Sequence, residues 1–304
     1  MKVVFMGTPA FAATCLDRIS TGEFDIVGVY TKIDTPKNRG MKLAISEVKA
    51  LSLEKGYDIF QPTTFKDDAV VEELKALAPD VIVAVAYGKI LPQRVLDIPR
   101  LGCINIHGSI LPALRGAAPV QWAVLNGLPE TGVTAMYMSA GMDEGDIIEI
   151  RKTSVDPQET AGQLMDRLAD IGADLLYDTL KRLAEGKVTA TPQDPALATY
   201  APMLTKELSP IDWTRSAKQI ICQIHGLDPW PAATAELGGT HFKIFGAEIA
   251  ETDTDAQPGK PILLTKRGLT VACGDGAVLI TELQADGGKR MRAPDYFRGH
   301  PITI

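Results

Sequence analysis

A chain of 304 residues with 45% apolar and 23% charged residues is long enough for two domains and has an ordinary globular composition. Its net charge of −7 argues against indiscriminate nucleic-acid binding, and its longest apolar run, Val81 to Ala86, is too short for a membrane span. Four widely separated cysteines form no disulfide framework, and no export signal is visible. We therefore expect a protein of the reducing cytoplasm.

The first half of the chain alternates strand and helix patterns, which is typical of an α/β fold. A strand over Lys2 to Met6 leads through Gly7-Thr8-Pro9 into an apolar-periodic helix. The continuously apolar run from Asp80 to Ala86 predicts a buried central strand of a parallel sheet. The first turn lacks the G-x-G-x-x-G pattern, so a dinucleotide cofactor has little support. These features predict a Rossmann-like, mostly parallel sheet.

Two segments carry a local excess of positive charge within this acidic chain. Residues 31–43 contain Lys32, Lys37, Arg39 and Lys42, and residues 287–298 contain Lys289, Arg290, Arg292 and Arg298. The first segment is rich in Pro, Asn and Gly, which predicts a loop rather than a helix or strand. Such a loop could close over a phosphate-bearing ligand, although solvated surface is the ordinary alternative.

The stretch from Gly102 to Pro119 contains the first candidate site. A short apolar strand, Cys103 to Ile106, carries Asn105 and His107 at alternate positions, which places both side chains on one side. An amide beside an imidazole can stabilise an oxyanion and handle a proton. A buried histidine held by its neighbouring asparagine is the structural alternative.

An acidic turn follows at Gly141 to Asp146, with three acids in four residues. It lacks the remaining ligands of a calcium loop of the EF-hand type. A plain acidic turn and a carboxylate presented close to His107 remain open. Cys222 and His225 have the spacing of half a metal site, but no second half exists, so ordinary helix-face residues are expected.

The second half of the chain begins with a long amphipathic helix, from about Thr160 to Glu185, and a proline-rich aperiodic segment. Five short strands with glycine-rich turns then predict a small closed barrel of OB type. The expected organisation is a catalytic domain over 1–186, a linker over 187–208 and an OB-like domain over 209–304.

Three motifs together, G-C-I-N-I-H-G-S-I-L-P, R-G-A-A-P-V-Q and G-M-D-E-G-D-I, resemble the formyltransferase family. That family transfers a formyl group from 10-formyltetrahydrofolate to an amine, through a Rossmann-like catalytic domain. The N-terminal V-V-F-M-G-T-P-A-F-A, the R-G-M-K-L loop, I-D-W and D-P-W-P are similar to the branch that formylates initiator methionyl-tRNA. The resemblance covers nearly the whole chain and implies an OB-like C-terminal domain that helps hold the tRNA.

The resemblance also implies roles for individual residues. The family's catalytic trio matches Asn105, His107 and Asp143, and its folate-contacting segment matches Ser109, Ile110, Leu111 and Pro112. The loop that engages the tRNA acceptor end matches Arg39, with Lys37 and Lys42 beside it. No metal is implied. The chain departs from the family's common residues at Ala113, Ile33 and Asn38, which affects the expected details of tRNA contact more than the chemistry.

Other functions share part of this pattern. A folate-dependent enzyme acting on an amino sugar or a nucleotide amine would keep the trio but lack the basic loop. A formyltetrahydrofolate hydrolase would also keep the trio, and a non-enzymatic RNA-binding module would not need it. The sequence favours the tRNA enzyme, acting as a monomer in the cytoplasm.

Overall fold

The computed structural model describes residues 1–37, 42–252 and 254–304. Its strands, numbered in chain order, are β1 (Lys2–Gly7), β2 (Asp25–Tyr30), β3 (Thr35–Lys37), β4 (Lys42–Ala44), β5 (Ile59–Phe60), β6 (Val81–Val85), β7 (Cys103–His107), β8 (Arg115–Gly116), β9 (Glu130–Tyr137), β10 (Ile147–Ser154), β11 (Tyr200–Ala201), β12 (Ala233–Leu237), β13 (Thr240–Ala250), β14 (Pro261–Leu264), β15 (Leu269–Cys273), β16 (Gly276–Ala285) and β17 (Met291–Arg292).

The helices, numbered in the same way, are α1 (Ala10–Ile19), α2 (Glu47–Lys55), α3 (Asp68–Ala76), α4 (Gln93–Leu96), α5 (Pro119–Leu125), α6 (Ala161–Ala184), α7 (Ala217–Gly226) and α8 (Ala293–Gly299). Two short 3-10 helices lie at Pro195–Leu197 and Lys206–Leu208. Within the described ranges, no helix is both long and apolar enough to cross a bilayer.

The chain divides into two compact units. The first contains residues 1–116, 132–153 and 165–200, and the second contains residues 117–131, 154–164 and 201–304. The chain therefore passes between the units several times rather than once.

The first unit is built on a seven-stranded sheet in the order β10-β9-β7-β6-β1-β2-β5. Strands β5, β2, β1, β6 and β7 run parallel, whereas β9 runs antiparallel to β7. All five residues of β6 are buried, as its continuous apolar run requires for a central strand. The predicted Rossmann-like, mostly parallel sheet is thus confirmed, and the site strand β7 lies where the parallel pairing changes to antiparallel.

The second unit contains a six-stranded sheet, ordered β12-β13-β16-β15-β14 with β17 on β16, and the pairings between these strands are antiparallel. Its apolar core includes Ile220 and Ile224 of α7 together with Phe242 and Ile280 of the sheet. Among the described residues, no strand ladder joins the edge strands β12 and β14 to close a barrel. The antiparallel sheet is confirmed, and the closed OB-type barrel is not.

The predicted loop over residues 32–42 is partly wrong, because it contains a short hairpin. Thr35 pairs with Ala44, and Lys37 pairs with Lys42, across the antiparallel strands β3 and β4. Backbone hydrogen bonds form such a ladder without an apolar alternation in the sequence, so a Pro- and Gly-rich composition conceals it.

Candidate active site

Strand β7 presents the two polar candidates at its carboxyl end. Asn105 pairs with Ala84 of β6 on one side and with Met136 of β9 on the other, and His107 pairs with Thr134. Because side chains alternate along a strand, Asn105 and His107 project from the same face. His107 is 6% exposed, and Asn105 is half-buried. The carboxyl ends of parallel strands are the usual place for ligands in open α/β sheets.

The imidazole of His107 is oriented by one backbone carbonyl. Its Nε2 lies 2.9 Å from the carbonyl oxygen of Leu114. A carbonyl only accepts hydrogen bonds, so Nε2 carries the proton of the neutral ring and donates it there. The second ring nitrogen, Nδ1, is therefore the one that can accept or release a proton.

Asp143 lies opposite that second nitrogen. Its Oδ2 is 3.6 Å from Nδ1 of His107, and the two side chains are 19% and 6% exposed. The same Oδ2 accepts a 2.8 Å hydrogen bond from the backbone N–H of Gly116. The acidic turn thus presents a carboxylate beside the histidine, which was one of the two readings that the sequence left open.

Asn105 supplies a polar group beside His107. No described residue hydrogen-bonds its side-chain amide, although this side chain is half-buried on the same face as His107. An amide with free N–H groups at this position can donate to a bound ligand. At Cys103, one alternation earlier, burial, with a smaller effect of Asp97, raises the pKa of the thiol to about 12, which favours the un-ionised form.

The segment from Ser109 to Pro112 forms a turn that hydrogen bonds to buried groups hold in place. Ser109 and Leu111 are almost fully buried, and the Ser109 hydroxyl donates to the carbonyl of Ala113 over 2.6 Å. The hydroxyl of Thr134 donates to the Ser109 carbonyl and accepts from the Leu111 N–H. Ile110 and Pro112 remain partly exposed, so these two side chains are the ones available to a ligand.

Sequence reasoning missed a group that supports the Asp143 turn. Gln193 donates from Nε2 to the carbonyls of Asp143 and Gly145, each over 2.8 Å. Its Oε1 accepts from Nε and Nη2 of the buried Arg115, over 3.1 and 2.7 Å. The R-G pair at Arg115-Gly116 was the available signal, because an arginine in an otherwise apolar stretch needs a partner when it is buried. Nothing in the aperiodic segment around Gln193 marks that residue.

Of the predicted tRNA-contacting residues, Arg39 lies outside the described residues. Lys37 and Lys42 form the last backbone pair of the β3–β4 hairpin, so the backbone brings these two positions together. Because Lys37 and Lys42 flank residues 38–41 in the sequence, three of the basic positions predicted from the sequence belong to one short segment.

In the second basic segment, Arg290 and Arg298 pair with carboxylates of their own unit. Arg290 binds Glu282 over 2.7 Å and Asp228 over 3.1 Å, and Arg298 binds Asp295 over 2.9 Å. Burial raises the pKa of the Asp228 carboxyl, and the neighbouring Arg290 opposes that rise. The local positive charge expected from the sequence is therefore smaller in the folded protein.

Cys222 and His225 show no sign of a metal site. Within the described ranges, no group of three or more His, Cys, Asp or Glu side chains could hold a metal ion. His225 is buried, and its burial lowers the pKa of the imidazole below 6.5 despite carbonyl acceptors at Pro157 and Ala247.

The fold defines a Rossmann-like α/β unit, with Asn105, His107 and Asp143 at its site strand, and a second, antiparallel unit. The model for "Formyl transferase" matches residues 1–180, and the model for "Formyl transferase, C-terminal domain" matches residues 203–301. The chain belongs to the formyl transferase family.

Curated relatives match almost end to end. Methionyl-tRNA formyltransferase of Desulfotalea psychrophila is 45% identical over 303 residues, covering 99% of this chain and 94% of that protein. The protein of the same name from Ruminiclostridium cellulolyticum is 41% identical over 304 residues, covering 99% and 97%.

Solved structures with low identity show the same fold. The N-formyltransferase from Helicobacter canadensis, in complex with folinic acid and dTDP-3-aminofucose, has a TM-score of 0.72 at 18% identity and covers 92% of this chain and 98% of its own. HypX from Aquifex aeolicus, in complex with tetrahydrofolic acid, has a TM-score of 0.65 at 19% identity and covers 98% of this chain. This chain spans 47% of the HypX chain.

Proposed function

We propose that this protein transfers the formyl group of 10-formyltetrahydrofolate to the free amino group of initiator methionyl-tRNA, giving N-formylmethionyl-tRNA. The observation that carries the proposal is the 41–45% identity to methionyl-tRNA formyltransferases over nearly the whole length of both chains. The geometry around His107 is consistent with that chemistry. The trio Asn105, His107 and Asp143 is proposed as the catalytic set.

The reaction begins with attack of the neutral amine on the formyl carbon. A new C–N bond forms, and the formyl oxygen becomes an oxyanion. The Asn105 amide, which no described residue engages, donates to that oxygen. His107 can donate from Nδ1 when protonated, because its Nε2 proton is committed to the Leu114 carbonyl.

The protons then move so that the folate can leave. Asp143, whose Oδ2 lies 3.6 Å from His107 Nδ1, holds the imidazolium and accepts the proton of the attacking amine directly or through one water. The proton that Asp143 accepted passes to the folate nitrogen, directly or through one water, as the oxyanion re-forms the carbonyl and the bond between that nitrogen and the formyl carbon breaks. The products are the formylated amine and tetrahydrofolate, and the proton lost by the amine equals the one gained by the folate nitrogen.

The folate is proposed to bind along the turn Ser109, Ile110, Leu111 and Pro112. The Ser109 hydroxyl already donates a hydrogen bond to the Ala113 carbonyl. The folate would therefore contact the backbone of the turn and the side chains of Ile110 and Pro112. Thr134, on the neighbouring antiparallel strand, holds the turn through two hydrogen bonds, so the ligand would bind against a rigid surface.

The tRNA is proposed to contact Arg39, Lys37 and Lys42, with the second antiparallel sheet as a further contact surface. An OB-like barrel over 209–304, a catalytic domain over 1–186 and a linker over 187–208 remain predictions from the sequence. A monomeric state and a cytoplasmic location, where charged tRNA is available, are likewise proposed.

The test is a transfer assay with purified protein, labelled 10-formyltetrahydrofolate, and charged initiator tRNA beside dTDP-linked amino sugars and glycinamide ribonucleotide. We expect label on the aminoacyl-tRNA only. Label on a small amine, or free formate with no acceptor, would instead support the sugar-type or the hydrolase alternative.

Salt dependence separates the acceptors independently of turnover. Binding of tRNA should weaken in proportion to the number of phosphates contacted as salt rises, since counterions are released on binding. Raising salt from about 50 mM to about 200 mM strongly weakens binding that depends on phosphate contacts. Binding that stays constant over this range would argue against a tRNA acceptor.

A further inference from the structure

Gln193 lies in a segment that the sequence marks only as a linker, yet the fold ties that segment to the catalytic turn. Two residues earlier, Thr191 exchanges two backbone hydrogen bonds of 2.8 Å with Ile147, the first residue of β10. This pairing delivers the Gln193 amide to the turn that carries Asp143.

Both polar atoms of the Gln193 side chain are hydrogen-bonded, the nitrogen as a donor and the oxygen as an acceptor. Nε2 donates to the two carbonyls of Asp143 and Gly145, and Oε1 accepts from two guanidinium nitrogens of Arg115. Carbonyls cannot donate and a guanidinium cannot accept, so this orientation of the amide is the only one that satisfies the set. Arg115 is 4% exposed, and its third nitrogen lies 3.7 Å from Glu144.

The Asp143 turn needs such support because its backbone is not in a relaxed conformation. Asp143 has φ +53°, in the left-handed region that non-glycine residues adopt rarely. Gly145, the second residue clamped by Gln193, passes so close to Tyr137 that a Cβ would lie 1.8 Å from its carbonyl oxygen. The carboxylate is thus held from two sides, by the Gln193 amide at its backbone and by the Gly116 N–H at Oδ2.

We infer that Gln193 is a positioning residue that sets the location of the Asp143 carboxylate relative to His107, with Arg115 fixing the amide in turn. Its role as a determinant of turnover rests on the proposed function. Its role in placing the Asp143 carboxylate does not rest on the proposed function, because it concerns the distance between Asp143 and His107 in the free protein.

The decisive variant is Gln193→Glu, which has the same shape. A glutamate still accepts from Arg115 but cannot donate to the two carbonyls, so it removes the clamp and keeps the arginine pair. Gln193→Ala removes both without adding charge, which provides a second variant if the glutamate is not tolerated. Gln163→Glu is the control: it adds the same charge where the side chain accepts from Thr160 N–H, as a glutamate also does.

Three measurements follow on each folded variant. Steady-state kinetics should show kcat reduced by about 10- to 100-fold for both Gln193 variants, with KM for folate and for tRNA within about threefold of wild type. The profile of kcat against pH should change shape in these variants and not in Gln163→Glu. In ¹⁵N-labelled protein without substrates, the ring-nitrogen resonances of His107, assigned with His107→Asn, should move in both Gln193 variants and stay in place in the control.

Unchanged His107 resonances, or a loss of kcat explained fully by the unfolded fraction, would overturn the inference. A wild-type protein that does not formylate methionyl-tRNA, with His107 resonances that still move, would refute the proposed function and leave the positional inference standing.

Discussion

Gly145 offers a sharp test of whether turnover depends on the position of the Asp143 turn. A Cβ at this buried glycine would lie 1.8 Å from the Tyr137 carbonyl oxygen and 2.8 Å from its carbonyl carbon, whereas ordinary contact begins at 3.4 Å. Both atoms belong to the backbone, so they cannot rotate away. In Gly145→Ala the turn must therefore move by about 1.6 Å, the difference between 3.4 and 1.8 Å.

That movement is large beside the 3.6 Å between Asp143 Oδ2 and His107 Nδ1. A misplacement of about 1 Å can cost about 100-fold in rate, which corresponds to about 2.7 kcal/mol in the activation barrier. We expect Gly145→Ala to lower kcat by about that factor in the formyl-transfer assay, with KM for either substrate little changed.

The same turn provides the matched control. A Cβ at Gly141 would lie 2.1 Å from Oε2 of Glu144, which is the end of a flexible side chain that is 51% exposed. This carboxylate can swing into solvent, so Gly141→Ala should keep kcat within about threefold. Near-normal turnover in Gly145→Ala, with a melting temperature like that of wild type, would refute the reasoning. Equal losses in both variants would refute it as well.

Three further variants test other parts of the molecule. His107→Ala should abolish measurable transfer while tRNA binding stays near normal, since it removes the proton carrier and no proposed tRNA contact; substantial residual turnover would argue against its role. Arg39→Ala, predicted from the sequence alone, should weaken use of tRNA much more than binding of folate, and equal losses would contradict this. His225 is buried, which lowers its pKa below 6.5, so the unfolded chain takes up a proton that the folded chain resists. Stability should fall as pH drops through 6.5, and His225→Gln should flatten this part of the melting-temperature curve; an unchanged slope would contradict the assignment.

The sequence was sufficient to place the site strand and the longest helix. The period-two pattern around Asn105 and His107 predicted their shared face, and β7 has the predicted position. The helix predicted from about Thr160 to Glu185 is observed as Ala161–Ala184, because its apolar stripe is long and unbroken. These elements depend on nearby residues, which a linear pattern records.

Features that depend on distant pairing could not be predicted in this way. Gln193 acquires its place only when Thr191 pairs with Ile147, and no local signal encodes that contact. Strand β13 extends over Thr240–Ala250, longer than the short strands expected in this region, because the chain continues through register shifts on either side of Gly246. A Cβ at Gly246 would lie 2.4 Å from the Thr281 hydroxyl, so a glycine that looks like a strand end is instead required by close approach. The helix α8 was also missed.

Because the two units alternate along the chain, cutting the chain at one point separates residues that belong to the same unit. Helix α5 belongs to the second unit although it lies early in the chain, and it packs against α7 so closely that a Cβ on Gly226 would lie 2.6 Å from Leu125. A fragment ending at residue 186 would carry α5 without α7. Trp122 and Leu125, which pack against the apolar core of the second unit, would then lose that contact, and such a fragment should aggregate unless α7 is supplied as a separate polypeptide. Recovery of a soluble fragment on co-expression, and not on expression alone, would show that α5 folds with residues located a hundred positions away rather than with its neighbours in the sequence.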